Sequence, residues 1–235
     1  MKQLSNLGVL TIAVAGLFTQ SVAYSQSLSP VTTPSAIKDG TRLTSKEQLR
    51  EVFANATKVE EYAYVPKQWG GISLMGLIGR LMGDRANRDY EGIDTRRYLY
   101  RAFKDSEILG IAHGSTTEVE SNPFDVFVYY DSTSKIKDLK LQRLNDEMLG
   151  KLQKGGYLQQ FVDRETSDFS VSIGRKGRVK DWGDFARSQK RPSESTLKNV
   201  WGKIVRSVRF NAAFVEVAYF ISQHPMEADD QASSR

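Results

Sequence analysis

The chain has 235 residues, a formal net charge of +5 and no cysteine, which excludes disulfide bonds, thiol chemistry, iron–sulfur clusters and c-type haem attachment. Hydrophobic residues make up 40% of it, enough for one sizeable folded domain. The basic charge suits an anionic cofactor, an acidic partner protein or a membrane surface, and the export signal described next argues against nucleic acid as a partner.

The first 25 residues have the pattern of a secretory signal peptide. Lys2 gives a positive start, an apolar run extends from Leu7 to Phe18, and small residues near Ser25 offer a cleavage site. We therefore expect an exported protein of the periplasm or cell envelope, with the signal peptide cleaved. A retained membrane anchor is the alternative, although a span needs about 20 apolar residues. Residues 26–44 are rich in Ser, Thr and Pro, which predicts a flexible linker.

A folded domain is predicted from residue 45 to residue 221, followed by a polar tail at 222–235. It opens with a short helix, for which Ser45 and Gln48 would form a capping box. An insertion at about 62–94 contains a run from Trp69 to Gly83 with leucines and Ile78 at helical spacing between glycines. The run predicts a short amphipathic helix that either packs on the main core or docks peripherally on a membrane or a partner.

From Arg97 the hydrophobic period changes to two, which predicts β-strands. Residues 98–103 and 108–112 would form a hairpin, and residues 124–130 and 136–144 a second pair after a loop at 114–123. A helical stretch at 147–162 follows. Residues 168–179, with the basic run GRKGR, would form one more strand or an irregular loop. The sequence therefore predicts an α+β fold, with an antiparallel sheet of about four to six strands packed with helices.

The longest helical pattern lies near the end of the chain and predicts a long C-terminal helix that reaches about Ile221. Its apolar residues recur at steps of three and four, which gives one face for a core: Leu197, Trp201, Ile204, Val208, Ala212, Val215 and Tyr219. The helix would begin inside the turn PSEST at 192–196, with Ser193 or Ser195 as its N-cap. Free N–H groups at that end would suit a phosphate, and an ordinarily capped core helix is the alternative.

The order of these pieces resembles a known family, the FMN-binding domain of flavin-carrying subunits in bacterial sodium-pumping and related membrane redox complexes, and of the periplasmic part of nitrous-oxide-reduction regulators. The resemblance covers about residues 45–215. It rests on the order of five segments: LREVFANATKVEE (49–61), YLYRAFKDSEILGIAHGS (98–115), FDVFVYYDSTSKIKDLKLQRL (124–144), LQQFVDR (158–164) and PSESTLKNVWGKIVRSVRF (192–210).

The resemblance implies a flavoprotein of electron transport, either a flavin-dependent electron carrier or an accessory of a redox complex. Its partners would be a flavin transferase and a membrane redox protein. A cofactor-free structural or partner-binding module derived from the same fold is the alternative. No nucleophile elbow, P-loop or dinucleotide fingerprint occurs in the chain, so electron transfer or binding is expected rather than a stand-alone enzyme.

In many members of the family, FMN is joined through its phosphate to a Ser or Thr in the pattern Asp, two variable residues, Ser or Thr, Gly, Ala and acceptor. The register here puts Lys190 at the Asp position and Thr196 at the acceptor, while Glu194 and Ser195 stand where Gly and Ala are expected. The resemblance thus implies covalent FMN on Thr196. The implied cofactor-binding set is Thr196, Ser193, Ser195, Lys190, Arg191 and Lys198.

The flavin ring would need an apolar slot with aromatic walls. The sequence offers four aromatic residues for it, although such residues usually pack in a core: Tyr129, Tyr130, Trp182 and Trp201. The two histidines, His113 and His224, have no partner at metal-ligand spacing. No metal site is therefore predicted, and both histidines are expected on the surface or in loops.

Overall fold

An antiparallel sheet with one long helix across a face is the main feature of the protein. The structure is a computed structural model and describes residues 38–69, 71–82, 95–173, 179–182 and 184–223. The predicted signal peptide, the first part of the linker, the GRKGR run, His224 and most of the polar tail lie outside these residues.

The described residues form eight strands, six α-helices and two 3₁₀ helices. Strands β1 to β8 span Lys38–Asp39, Lys58–Tyr64, Thr95–Lys104, Glu107–Val119, Asn122–Asp131, Ile136–Gln142, Val171–Ile173 and Val179–Trp182. Helices α1 to α6 span Glu47–Val52, Pro66–Trp69, Gly71–Met82, Asp146–Lys154, Asp184–Ser188 and Ser195–Gln223. Two 3₁₀ helices, Leu158–Phe161 and Thr166–Phe169, connect α4 to β7.

The main sheet has the order β1-β3-β4-β5-β6, with β2 also paired to β3. Strands β2 to β6 pair antiparallel, whereas the two-residue β1 runs parallel to the start of β3, beyond the end of β2. Strands β7 and β8 form a separate hairpin. The α+β fold predicted from the sequence is confirmed, and the sheet is antiparallel apart from β1.

Helices cover both faces of the sheet, which explains why β5 reads as a nearly continuous apolar run. Phe124, Val126, Val128 and Tyr130 of β5 lie in the core cluster that includes α6. Phe127 and Tyr129 lie in a second cluster on the opposite face, together with residues of α1. Successive side chains of a strand point to opposite faces, so one apolar strand supplies both cores.

Helix α6 buries the face that the sequence predicted. Leu197, Trp201, Ile204, Val208, Ala212 and Val215 are all buried, and the helix packs against β4 and β5. The prediction of a long C-terminal helix is confirmed, because a stripe at steps of three and four has to meet an apolar surface. In the part of the chain that the structure describes, no helix is both long and apolar enough to cross a membrane.

Three stretches differ from what the sequence led us to expect. The predicted loop at 114–123 is mostly strand, because β4 continues to Val119 and a tight turn at Glu120 and Ser121 leads into β5. Both turn residues have positive φ, 51° and 65°, as a two-residue hairpin turn requires. Strand β2 was not predicted, and it brings residues 62–64 of the expected insertion into the main sheet. Residues 38–44 of the expected linker carry β1 and the buried Leu43.

Helix α3 occupies most of the run from Trp69 to Gly83, as predicted. Met75, Ile78 and Met82 are buried in the core cluster that includes α6, and α3 packs along α6. One face of this helix is therefore used for packing inside the protein. The side chains of residues 69–74 and residue 83 lie outside the description, so docking on a membrane or partner stays a prediction.

Candidate ligand-binding site

Helix α6 begins in the predicted turn. The N–H of Lys198 donates to the carbonyl oxygen of Glu194 at 2.8 Å, which makes Glu194 the N-cap residue and corrects the assignment to Ser193 or Ser195. The hydroxyls of Ser193, Ser195 and Thr196 lie at the surface, and in the described residues none of them makes a side-chain hydrogen bond. Glu194 has no hydroxyl, and the start of α6 is therefore not capped by a serine or threonine side chain among the described residues.

The two charged residues around this turn are held by contacts with α4 and the turn after it. The carboxylate of Glu194 accepts from the Lys151 amino group at 3.1 Å. The amino group of Lys190 donates to the carbonyl of Gly155 at 3.3 Å and lies 5.4 Å from the centre of the Tyr157 ring. Glu194 is thus partly neutralised, and the Lys190 amino group is held at the end of α4.

A cavity of about 480 Å³ lies next to the start of α6. We call it the aromatic cavity, because Phe169, Phe185 and Trp201 form its floor. The ring centres of Phe169 and Phe185 are 4.9 Å apart, and the Trp201 indole donates to Gln189 Oε1 at 3.1 Å. The three floor residues expose only 2–3% of their surface, so they are tightly packed and form an apolar floor. The volume lies within the usual range for small-molecule sites, about 300–1,000 Å³.

Four basic side chains also line the aromatic cavity: Arg187, Arg191, Lys198 and Arg209. The lining contains one carboxylate, Asp168, which lies 3.9 Å from the guanidinium of Arg164. Arg209 donates to the carbonyl oxygens of Phe169 and Met82, and Arg187 pairs with Asp184. Arg191 and Lys198 are exposed, and within the described residues neither forms an ion pair. The cavity therefore offers two cations without a carboxylate partner beside an apolar floor and a helix N-terminus.

The structure divides the six predicted cofactor-binding residues into two groups. Arg191 and Lys198 line the aromatic cavity, whereas Ser193, Ser195, Thr196 and Lys190 are not part of its lining. Of the four aromatic candidates, Trp201 belongs to the floor, Tyr129 and Tyr130 are core residues on opposite faces of the sheet, and the Trp182 side chain lies outside the description. Sequence reasoning missed Phe169 and Phe185, whose only signal was an aromatic residue within a polar stretch.

The residues fit a phosphate-bearing aromatic ligand such as FMN. A phosphate needs cations, and Arg191 and Lys198 supply two in the lining of the cavity. A planar ring needs an apolar wall, and the floor of the cavity supplies one. Among the described residues, no group of three or more acidic or histidine side chains could hold a metal ion.

The buried histidine is a second polar feature, and its position corrects the expected surface location of His113. His113 lies in β4 and is fully buried, because this strand continues past Ala112 and directs alternate residues towards α6. Its ring stacks on Phe214 with centres 4.3 Å apart. Burial, followed by the positive charge of Arg97, lowers the pKa of His113 to about 3. The ring is therefore neutral at physiological pH.

Comparison with models of protein families finds no match, and a search of curated proteins finds none either. The resemblance to FMN-binding domains consequently stays a prediction, which rests on the order of segments in the sequence.

Proposed function

We propose that the protein binds FMN in the aromatic cavity and acts as an exported flavin-dependent electron carrier or as an accessory of a redox complex in the cell envelope. The observation that carries the proposal is that Arg191 and Lys198, which form no ion pair with any described residue, line a cavity with an aromatic floor near the start of α6. The order of the sequence segments supports the same ligand independently.

The chain's own residues would bind and position the ligand. Arg191 and Lys198 would offset the charge of the phosphate and donate to its oxygens. Phe169, Phe185 and Trp201 would exclude water from one side of the ring. When bound, FMN supplies one- and two-electron transfer, and the protein contributes position and electrostatics.

Thr196 is the hydroxyl to which the resemblance assigns covalent attachment. It is exposed on the first turn of α6, two residues from Lys198, so a flavin transferase could reach it. Glu194, which replaces the family's glycine, is held by Lys151, and this ion pair reduces its repulsion of a nearby phosphate.

The alternative is a cofactor-free partner-binding module, and one observation favours it. Thr196 does not line the aromatic cavity, although the family's attachment site should lie beside the flavin. The two functions are distinguished by purifying the full chain from the periplasm of a host that co-expresses a flavin transferase. A yellow protein whose mass has grown by one FMN supports the carrier. A colourless protein that gains no mass and leaves the fluorescence of added FMN unchanged supports the module.

A further inference from the structure

A second cavity, of about 630 Å³, lies at the other end of the main sheet. Its lining includes Asp125 of β5 and Gln142 of β6, which are paired with each other. The turn that joins these two strands follows Asp131, at the opposite end of the strand pair. The aromatic cavity lies near that turn. The N–H of Ile136, just after the turn, donates to the carbonyl oxygen of Arg164, and the 3₁₀ helix that carries Phe169 begins two residues later. We call the second cavity the arginine cleft, since its lining includes Arg42, Arg97 and Arg143.

Arg143 is fixed in the cleft by a bidentate ion pair. Its Nε and Nη2 atoms donate to the two carboxylate oxygens of Asp125 at 2.7 and 2.6 Å. Asp125 is buried, and it also accepts from the Thr116 hydroxyl at 2.7 Å, which in turn lies 2.6 Å from the Thr41 hydroxyl. The Arg143 side chain remains about half exposed, at 53%. A guanidinium has five N–H donors, so the pair orients Arg143 and leaves three donors for another acceptor.

Arg42, a second arginine of the cleft, is also oriented by an ion pair. Its Nη2 and Nε atoms donate to Glu61 at 2.6 and 3.3 Å, while 59% of its side chain stays exposed. The guanidinium carbon lies 5.2 Å from the centre of the Tyr98 ring, which restricts its motion further. Pre-oriented arginine forks bind oxyanions well, because less side-chain freedom is lost when the ligand arrives.

Arg97 also contributes to the lining, but its guanidinium lies on the α6 side of the sheet, opposite to Tyr98 and Arg42. Its guanidinium carbon lies 5.1 Å from the centre of the ring of Phe210 in α6. Its Nε atom is buried and has no hydrogen-bond partner among the described residues. Burial lowers the pKa of Arg97, as expected for a cation removed from water without a counter-ion. The exposed guanidinium groups of the cleft are therefore those of Arg42 and Arg143.

The only carboxylate in the described lining, Asp125, is already occupied by Arg143 and Thr116. The hydroxyls of Thr41, Thr44, Thr95 and Thr116 complete a lining of donors and small polar groups. From this arrangement we infer that the arginine cleft is a binding site for a small oxyanion ligand, either a carboxylate or a phosphate, held by the outer donors of Arg42 and Arg143. The inference is independent of flavin binding, since the two cavities share no residue.

Isothermal titration of the full chain with succinate and, separately, with inorganic phosphate tests the site. The buffer contains about 0.01 M salt, where screening is weak. Each titration is repeated in the Arg191→Gln/Lys198→Gln background, so that phosphate bound in the aromatic cavity is not counted. The variants are Arg42→Gln and Arg143→Gln. Arg50→Gln is the matched control, because Arg50 is an exposed arginine that pairs with Glu47 outside the cleft.

We expect at least one of the two anions to bind with one-to-one stoichiometry in the Arg191→Gln/Lys198→Gln background. Each cleft variant should weaken binding about tenfold, and Arg50→Gln should leave it unchanged. The anion that binds identifies the ligand group. If neither anion binds, or if Arg50→Gln weakens binding as much as Arg42→Gln, the inference is wrong. Should Arg143→Gln fail to fold because Asp125 loses its partner, Arg42→Gln still decides the outcome, since Arg42 is largely exposed.

Discussion

The Nδ1 atom of His113 lies 2.8 Å from the Oδ1 atom of Asn211 in the interior between the sheet and helix α6. The amide of Asn211 is oriented by its Nδ2 group, which donates to the carbonyl of Val126 at 3.0 Å. His113 Nδ1 must therefore carry the proton and donate it, and Nε2 accepts from the Tyr64 hydroxyl at 3.2 Å. This chain of bonds satisfies three buried polar side chains and fixes one tautomer of the histidine.

The stability of the protein should fall as the pH drops below about 6.5. The unfolded chain binds a proton at His113 near that pH, whereas the folded protein binds it only near pH 3, beside Arg97. Between these values the unfolded state holds the extra proton, so the free energy of unfolding decreases with falling pH. The loss from this group is about 2 kcal/mol between pH 6.5 and 5. Above pH 7 the group has no effect, because both states are neutral.

Urea denaturation at several pH values measures this effect, with His113→Gln as the comparison. The variant should be less stable at pH 7 by about 1–3 kcal/mol, because Asn211 and Tyr64 lose a partner. Its stability should then depend less on pH than that of the parent between 6.5 and 5. Equal pH dependence in both proteins would show that His113 is not a buried neutral residue.

Removing the hydroxyl of Tyr64 should destabilise the protein, whereas the same change two residues earlier should not. Tyr64→Phe removes the buried donor to His113, at a cost of about 1 kcal/mol or more. Tyr62→Phe is the control, because Tyr62 is exposed at 37% and its hydroxyl donates to Glu60 at the surface. Chemical denaturation of both variants provides the comparison, and equal losses would contradict the buried network.

Two glycine-to-alanine changes should have opposite effects. A Cβ atom on Gly110 would overlap the ring of Phe53 and the carbonyl oxygen of Tyr130, so Gly110→Ala should cost about 1–3 kcal/mol. A Cβ atom on Gly150 in α4 would meet nothing within 4 Å, so Gly150→Ala should stabilise the helix by about 0.5–1 kcal/mol. Thermal unfolding of both variants checks the packing of Phe53, the residue that ends α1, against β4. If both variants shift the Tm by the same amount and in the same direction, this packing is wrong.

Thr196→Ala should abolish covalent flavin attachment without loosening the fold, because Thr196 is exposed at the start of α6. The intact mass of protein exported in the presence of a flavin transferase gives the result. Ser193→Ala is the control and should keep the added mass. If Thr196→Ala also keeps it, another residue is the acceptor.

The sequence was informative wherever one periodic pattern decides the structure. The alternation at 98–112 and 124–141 predicted the hairpins, and the stripe from Leu197 to Val215 predicted α6, because apolar faces of those periods have to be buried. Strand β2 was missed because its segment, KVEEYAY, has the polarity of a surface segment. Among the described strands it pairs with β3 alone and lies at the edge of the sheet, which explains this polarity. Charged residues on an edge strand discourage pairing with other chains.

The candidate site was only partly predictable because its residues come from distant parts of the chain. Arg191 and Lys198 could be named from their closeness to the start of a helix. Phe169 and Phe185 could not, because only the tertiary fold brings their rings beneath Trp201. The burial of His113 was missed for a related reason, since it depends on how far β4 extends and on which face α6 covers.

Titration of FMN with the purified chain, followed by quenching of flavin fluorescence, tests the central claim most directly. The comparison is between Arg191→Gln/Lys198→Gln and the control Arg50→Gln/Lys154→Gln, which removes the same charge elsewhere on the surface. We predict saturable binding that the first pair weakens about 100-fold and the control pair leaves nearly unchanged. Absence of saturable binding, or equal weakening by both pairs, would contradict FMN binding in the aromatic cavity.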